Sequence, residues 1–159
     1  MSVIVPGSYD PVTLGHLDII KRAAAEHDEV YAVVFINPEK NYTYSLEDRV
    51  AMLMLATEDI DNCLVSYSTG RVVDYMREHE IERIIKGYRN DTDLAYERVQ
   101  AEYNLREGGY ETELMLSDDS LAHVSSTLAR ERIRAGEDLA GILPEAVISY
   151  IKRRDMGEN

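Results

Sequence analysis

Between Pro6 and His16 the chain reads Pro-Gly-Ser-Tyr-Asp-Pro-Val-Thr-Leu-Gly-His. Ser8 and Thr13 supply hydroxyls, His16 supplies an imidazole, and two Pro and two Gly impose an unusual backbone. Hydroxyls, imidazole N–H and free helix-N-terminal amides are the groups that hold a phosphate oxygen. Thr13 is placed to cap a helix, and His16 falls in its first turn. Taken alone, Thr13 to His16 are equally a capped turn with an exposed histidine. Four further groups carry similar chemistry. Lys40 follows Asn37-Pro38-Glu39, Lys86-Gly87-Tyr88-Arg89 follows an apolar run, and Glu97 lies in a helical stretch. Val124-Ser125-Ser126-Thr127 opens another helix with hydroxyls and amides. Each has a plainer alternative. Lys40 reads also as a solvated loop lysine, Arg89 as a surface partner of Asp91 or Asp93, and Glu97 as solvent-facing or paired near Arg98. Ser125 to Thr127 read also as a simple cap. Tyr96, Val99 and Tyr103 recur at helical spacing and read as core. His27 and His123 read as structural or exposed.

The elements that must position these groups alternate along the chain. Strands are expected at 3–5, 30–36, 64–67, 81–85 and 113–116, from short apolar runs rich in β-branched residues. Helices are expected at 15–25, 46–57, 72–78, 94–106, from 124 or 125 to 134, and at 144–153. Ser45 with Asp48 predicts a capping box before the second helix. Gly136 predicts a helix stop, and Pro144 a first-turn position. Strand–helix alternation implies parallel strands joined by right-handed crossovers. The expected fold is α/β: a single Rossmann-like domain over 1–159, with a five-stranded, mostly parallel sheet and helices on both faces. In such sheets ligands sit beyond the carboxyl ends of the strands, so the loop after the first strand is the first candidate site. Residues 157–159 read as a frayed end.

With 159 residues, 45% hydrophobic and 30% charged, the chain is long enough for one domain with a real core. The net charge of −13 argues against a nucleic-acid or anionic-membrane surface, which needs a basic footprint. A few Lys and Arg can still converge on one small phosphorylated molecule. No run is apolar enough to span a bilayer and no basic segment precedes an apolar leader, so a cytoplasmic protein is expected. The one cysteine, Cys63, forms no internal disulfide and reads as a buried, inert thiol.

The whole 6–20 stretch is more specific than its four-residue centre. It resembles the opening of the nucleotidyltransferase superfamily with the Thr/His-x-Gly-His signature and, within it, the bacterial phosphopantetheine adenylyltransferase family. Asn37-Pro38-Glu39-Lys40, Ser45 to Val50, Lys86 to Arg89, Tyr96-Glu97, Asn104 and Val124 to Thr127 extend the resemblance over nearly the whole chain. It implies in-line attack of an acceptor phosphate on the α-phosphorus of ATP, with positioning and charge stabilisation from the protein. His16, Lys40 and Arg89 are the implied catalytic groups. Ser8, Lys40, Val72 and Lys86 are implied for the acceptor, 4′-phosphopantetheine. Ser8, Tyr9, His16, Gly87, Arg89, Glu97, Val124, Ser125, Ser126 and Thr127 are implied for ATP. Mg²⁺ is implied as ATP's companion, held by phosphates and water rather than by protein ligands. A homohexamer and feedback by coenzyme A are implied in the same way. Four positions depart from the family pattern: Lys86 for Arg, Leu105 for Arg, Arg71 for an apolar residue, and Leu121 for an aromatic. Arg71 leaves open a sibling transferase for another phosphorylated acceptor. A non-catalytic nucleotide-binding domain would need a degraded signature, whereas His16, Lys40 and Arg89 are all present.

Overall fold

A computed structural model describes residues 1–157. Five strands form one sheet: β1 (Ser2–Gly7), β2 (Glu29–Phe35), β3 (Cys63–Ser68), β4 (Arg83–Tyr88) and β5 (Thr112–Leu116). Six helices alternate with and follow them: α1 (Leu14–Glu26), α2 (Leu46–Thr57), α3 (Val72–His79), α4 (Asp91–Gly108), α5 (Ser126–Ala135) and α6 (Glu145–Asp155). A 3-10 turn at Asp119–Leu121, unexpected from the pattern, precedes α5. Glu158 and Asn159, expected to fray, lie outside the described residues.

The strand order is β3-β2-β1-β4-β5, and every pairing is parallel. Alternation along the strands divides the core. Val3, Val5, Val30, Ala32, Val34 and Ile85 face a layer that includes Ile20 of α1, Leu53 of α2 and Val147 of α6. Ile4, Val33 and Ile84 face Tyr75 and Met76 of α3, and α4 packs against α3, β4 and β5. Both faces are therefore covered, which is why the strands read as apolar throughout.

Successive units run outward from β1 to β3, and the chain then returns to β4 on the other side of β1. The loops after β1 and β4 leave toward opposite faces, so a crevice forms between them. Here the sheet also opens. β1 pairs with β4 only at Val3↔Arg83 and Ile4↔Ile84, while its pairing with β2 continues to Gly7. Pro6 contributes to this, because it brings no N–H to a ladder with β4.

Several boundaries differ from expectation for local reasons. Pro6 and Gly7 remain in β1, sustained by β2. Lys86, Gly87 and Tyr88 lie inside β4 rather than after it, held by pairing to β5. A glycine is required at 87 because α1 approaches it closely: a Cβ there would lie 2.7 Å from Ile19 Cγ1. α4 begins earlier, at Asp91, because Asn90 caps it by accepting from the Asp93 N–H. Pro144 is the N-cap of α6 rather than a residue of its first turn. Ser45 caps α2 as expected, but the box is not reciprocal: Asp48 instead accepts from the Tyr150 hydroxyl and Arg154. Cys63 is only partly buried, in β3, and burial pushes its thiol pKa up. Tyr96, Val99 and Tyr103 are not core. They are 62%, 62% and 36% exposed, since their face of α4 has no covering element in this chain.

Candidate active site

The β1–α1 loop is clamped from several sides. Both Asp10 carboxylate oxygens accept backbone N–H groups, from Thr43 and Tyr44, each at 2.9 Å. Arg49 is buried, donates to the Ser8 carbonyl at 3.1 Å and stacks on Tyr42. Arg130 donates to the Asp10 carbonyl and Ser126 Oγ to that of Pro11, each at 2.9 Å. Tyr9 takes a left-handed φ of 49°, uncommon for a residue with a side chain. Its ring is buried, and its hydroxyl donates to the Val5 carbonyl at 2.7 Å. The loop geometry is thus held by side chains of α2 and α5 and by the backbone at Thr43 and Tyr44.

At the end of this loop Thr13 caps α1 in a reciprocal arrangement. The His16 N–H donates to Thr13 Oγ1 at 3.3 Å, and the Thr13 N–H donates to His16 Nδ1 at 3.0 Å. An amide N–H can only donate, so Nδ1 is an acceptor and the neutral ring carries its proton on Nε2. The imidazole packs against Tyr9, with ring centroids 5.0 Å apart. Burial, and then the charges of Lys86 and Arg89, push its pKa down to about 4. At neutral pH His16 is therefore an uncharged hydrogen-bond donor through Nε2.

From the other side of the crevice come β4 and α4. Lys86 Nζ donates to the Pro6 carbonyl at 3.2 Å and lies 3.7 Å from a Glu97 oxygen. Glu97 is buried, and its Oε2 has no hydrogen-bond partner. Burial pushes the Glu97 pKa up, against the lowering effect of Lys86. Arg89 is gripped by Asp93: Nε donates at 2.9 Å and Nη2 at 3.3 Å to its two oxygens. The surface-pair alternative for Arg89 is thus realised with Asp93, yet both residues line a cavity.

That cavity holds about 500 Å³ and is bounded by Tyr9, His16, Lys86 to Arg89, Glu97 and the α5 start at Val124 to Ser126. A second, of about 300 Å³, is lined by Ser8, Lys40, Val72, Lys86, Glu97, Gln100 and Asn104. The two share Pro6, Lys86, Tyr96 and Glu97. A large chamber with a helix N-terminus and cationic groups thus meets a smaller one with Lys40 at its rim and Val72 in its wall. Such a pair of chambers can hold two phosphorylated molecules end to end, their phosphates meeting near Lys86 and His16.

The sequence-predicted residues do not all fall on these walls. Ser8, expected on both substrates, lines only the smaller chamber. Tyr9 lines the larger one, but its hydroxyl is consumed inside the fold, which leaves its backbone for a ligand. Thr127 lines neither chamber; it is exposed, and its hydroxyl accepts from Arg130 at 3.2 Å. It is the second residue of α5, in the same first turn as Ser126. Arg71 lines neither chamber, being engaged by Asp74, Tyr103 and Glu107. Sequence reasoning missed Asp10 and Arg49 as site-forming residues and read Asp93 only as a surface partner of Arg89. Asp93 alone had a local signal, a carboxylate four positions after Arg89 in the first turn of α4. The crevice carboxylates are already engaged, Glu97 with Lys86 and Asp93 with Arg89. Among the described residues, the one three-ligand group suited to a metal lies elsewhere.

This fold and crevice are those of a nucleotide-handling α/β protein, and the chain belongs to the cytidylyltransferase-like family, which it matches over residues 4–132. That span contains every site residue named above. The chain is 41% identical over 155 residues to the phosphopantetheine adenylyltransferase of Corynebacterium efficiens, covering 97% of this chain and 98% of that protein. It is 40% identical over 155 residues to the phosphopantetheine adenylyltransferase of Corynebacterium glutamicum strain R, covering 97% of each.

Proposed function

We propose that this chain, acting as one nucleotidyltransferase domain, transfers the adenylyl group of ATP to 4′-phosphopantetheine, giving dephospho-coenzyme A and pyrophosphate. The observation that carries the reading is the meeting of two chambers at Lys86, with His16 on the wall of the larger. Near-full-length similarity to phosphopantetheine adenylyltransferases supports the choice of substrates.

In this reading ATP occupies the larger chamber and enters with Mg²⁺, which its phosphates and water hold. The amides at the start of α5, beside Ser125 and Ser126, receive its phosphates. Val124, Gly87 and the Tyr9 backbone border the nucleotide, and Glu97 Oε2 accepts a ribose hydroxyl. Thr127 serves as an outer contact, after Arg130 releases it. The acceptor occupies the smaller chamber, its arm along Val72 and its phosphate between Ser8, Lys40 and Lys86. A phosphate oxygen attacks the α-phosphorus, the bond to the β-phosphate oxygen breaks in line, and pyrophosphate leaves. No proton need move. His16 Nε2–H donates to an α-phosphate oxygen as charge builds there. Lys40 and Lys86 neutralise the approaching anions, and Arg89 holds the leaving group. These preorganised donors act without reorganising.

The protein would work in the cytoplasm as a homohexamer, to which exposed Val99 and Leu105 on α4 offer apolar contact surface. Coenzyme A, which shares the acceptor's arm, would compete for the smaller chamber. The test is to incubate purified protein with ATP, Mg²⁺ and a panel of phosphorylated acceptors while following pyrophosphate. 4′-Phosphopantetheine is expected to be the best acceptor by a wide margin. Pyrophosphate release with a different best acceptor, or with none, overturns the assignment.

A further inference from the structure

At the far end of α1 from His16, about 16 Å along the helix by its rise per residue, lies a group of side chains with no part in either chamber. Glu26 is the last residue of α1, His27 is its C-cap, and Glu113 projects from β5. An imidazole nitrogen of His27 and one carboxylate oxygen from each glutamate lie within 4.8 Å of one another. His27 Nε2 is buried and has no hydrogen-bond partner. Leaving a buried imidazole nitrogen unpaired is unfavourable. So is holding two carboxylates together without a cation. Arg22, one turn before Glu26 on α1, is engaged by Asp18.

From this geometry we infer that Glu26, His27 and Glu113 bind a divalent transition-metal cation, of which zinc is the type. One imidazole with two carboxylates is a borderline donor set. It suits zinc, manganese or cobalt better than calcium or magnesium, which take oxygen ligands. Small rotations of the two glutamates bring their oxygens to the ~2.0–2.2 Å that zinc requires. Glu26 is exposed, so water completes the coordination. The partial negative charge of the α1 C-terminus adds to the attraction. The bound ion would take an imidazole nitrogen of His27, relieve the repulsion between the glutamates, and tie α1 to the edge strand β5. This site is independent of the transferase reading.

Titration calorimetry of the full chain with ZnCl2, without ATP, tests it, alongside melting with and without the metal. The wild type is expected to bind one zinc per chain and to melt at a higher temperature in its presence. His27→Asn and Glu113→Gln are expected to weaken that binding at least tenfold and to abolish the thermal gain, while melting without zinc near the wild-type temperature. Cys63→Ser and His123→Asn control for adventitious zinc ligands and should retain the site. Absence of zinc binding by the wild type, or binding by both site variants as tight as wild type, overturns the inference.

Discussion

Lys86 donates to the carbonyl of Pro6 at 3.2 Å, from β4 to β1, where those two strands have ceased to pair. One ammonium thus bridges the opening of the sheet. It also lies beside the buried carboxylate of Glu97, at the junction of both chambers.

Removing that ammonium should damage the site more than the fold. Lys86→Met leaves Glu97 buried without its cation, which drives the carboxyl further toward its protonated form. Turnover with 4′-phosphopantetheine is expected to fall about a hundredfold or more, the size of losing one preorganised donor to developing charge. Lys86→Arg, which retains the charge, should recover much of the loss. Steady-state kinetics on both variants checks this, and near-normal kcat in Lys86→Met would remove Lys86 from the mechanism.

His16 should act as a neutral donor. Its pKa of about 4 in the folded chain lies below the ~6.5 of an exposed histidine. The unfolded chain therefore binds more protons between these values. The histidine's contribution to stability is complete above pH 6.5 and is lost progressively as pH falls toward 4. No inflection from His16 is expected in kcat between pH 6.5 and 8. An NMR titration of the ring protons reads the pKa directly, and a midpoint near 6.5 would contradict the buried neutral ring. His16→Ala should lower kcat by ~10²–10³ with little change in ATP affinity, because the contact strengthens in the transition state.

Arg89 presents a guanidinium already oriented by Asp93 through Nε and Nη2. Arg89→Ala should weaken ATP binding about tenfold or more, and Arg89→Lys should restore only part, since an ammonium lacks the planar fork. Asp93→Asn keeps the shape but loosens the grip on Arg89, so a smaller loss is expected. Calorimetry with ATP measures all three, and unchanged affinity in Arg89→Ala would remove Arg89 from the nucleotide site.

Arg71 should not select the acceptor. Its guanidinium donates to Asp74 at 2.9 and 3.2 Å, to Tyr103 at 3.3 Å and to Glu107 at 3.2 Å, outside the smaller chamber. Arg71→Leu is expected to leave acceptor preference unchanged and to change stability little, because exposed ion pairs are screened by water and salt. A tenfold fall in kcat/KM for the best acceptor would instead mean that Arg71 reads an anion.

Much of this was legible in the sequence. Hydrophobic periodicity placed the five strands and six helices, because burial on one or both faces leaves a local pattern. Thr13 and His16 announced the start of α1, since capping chemistry is encoded within four residues. Boundaries failed where a neighbour decided them. Lys86 and Gly87 look like loop, yet pairing with β5 holds them in a strand. Tyr96 and Val99 look like core, because spacing marks a face without saying what covers it. The strand order, the opening between β1 and β4, and the convergence of Lys86, Glu97 and His16 belong to the tertiary structure alone. Parallel neighbours are brought together by crossovers and by packing on two faces, and no local stretch of sequence records which strand will lie beside which.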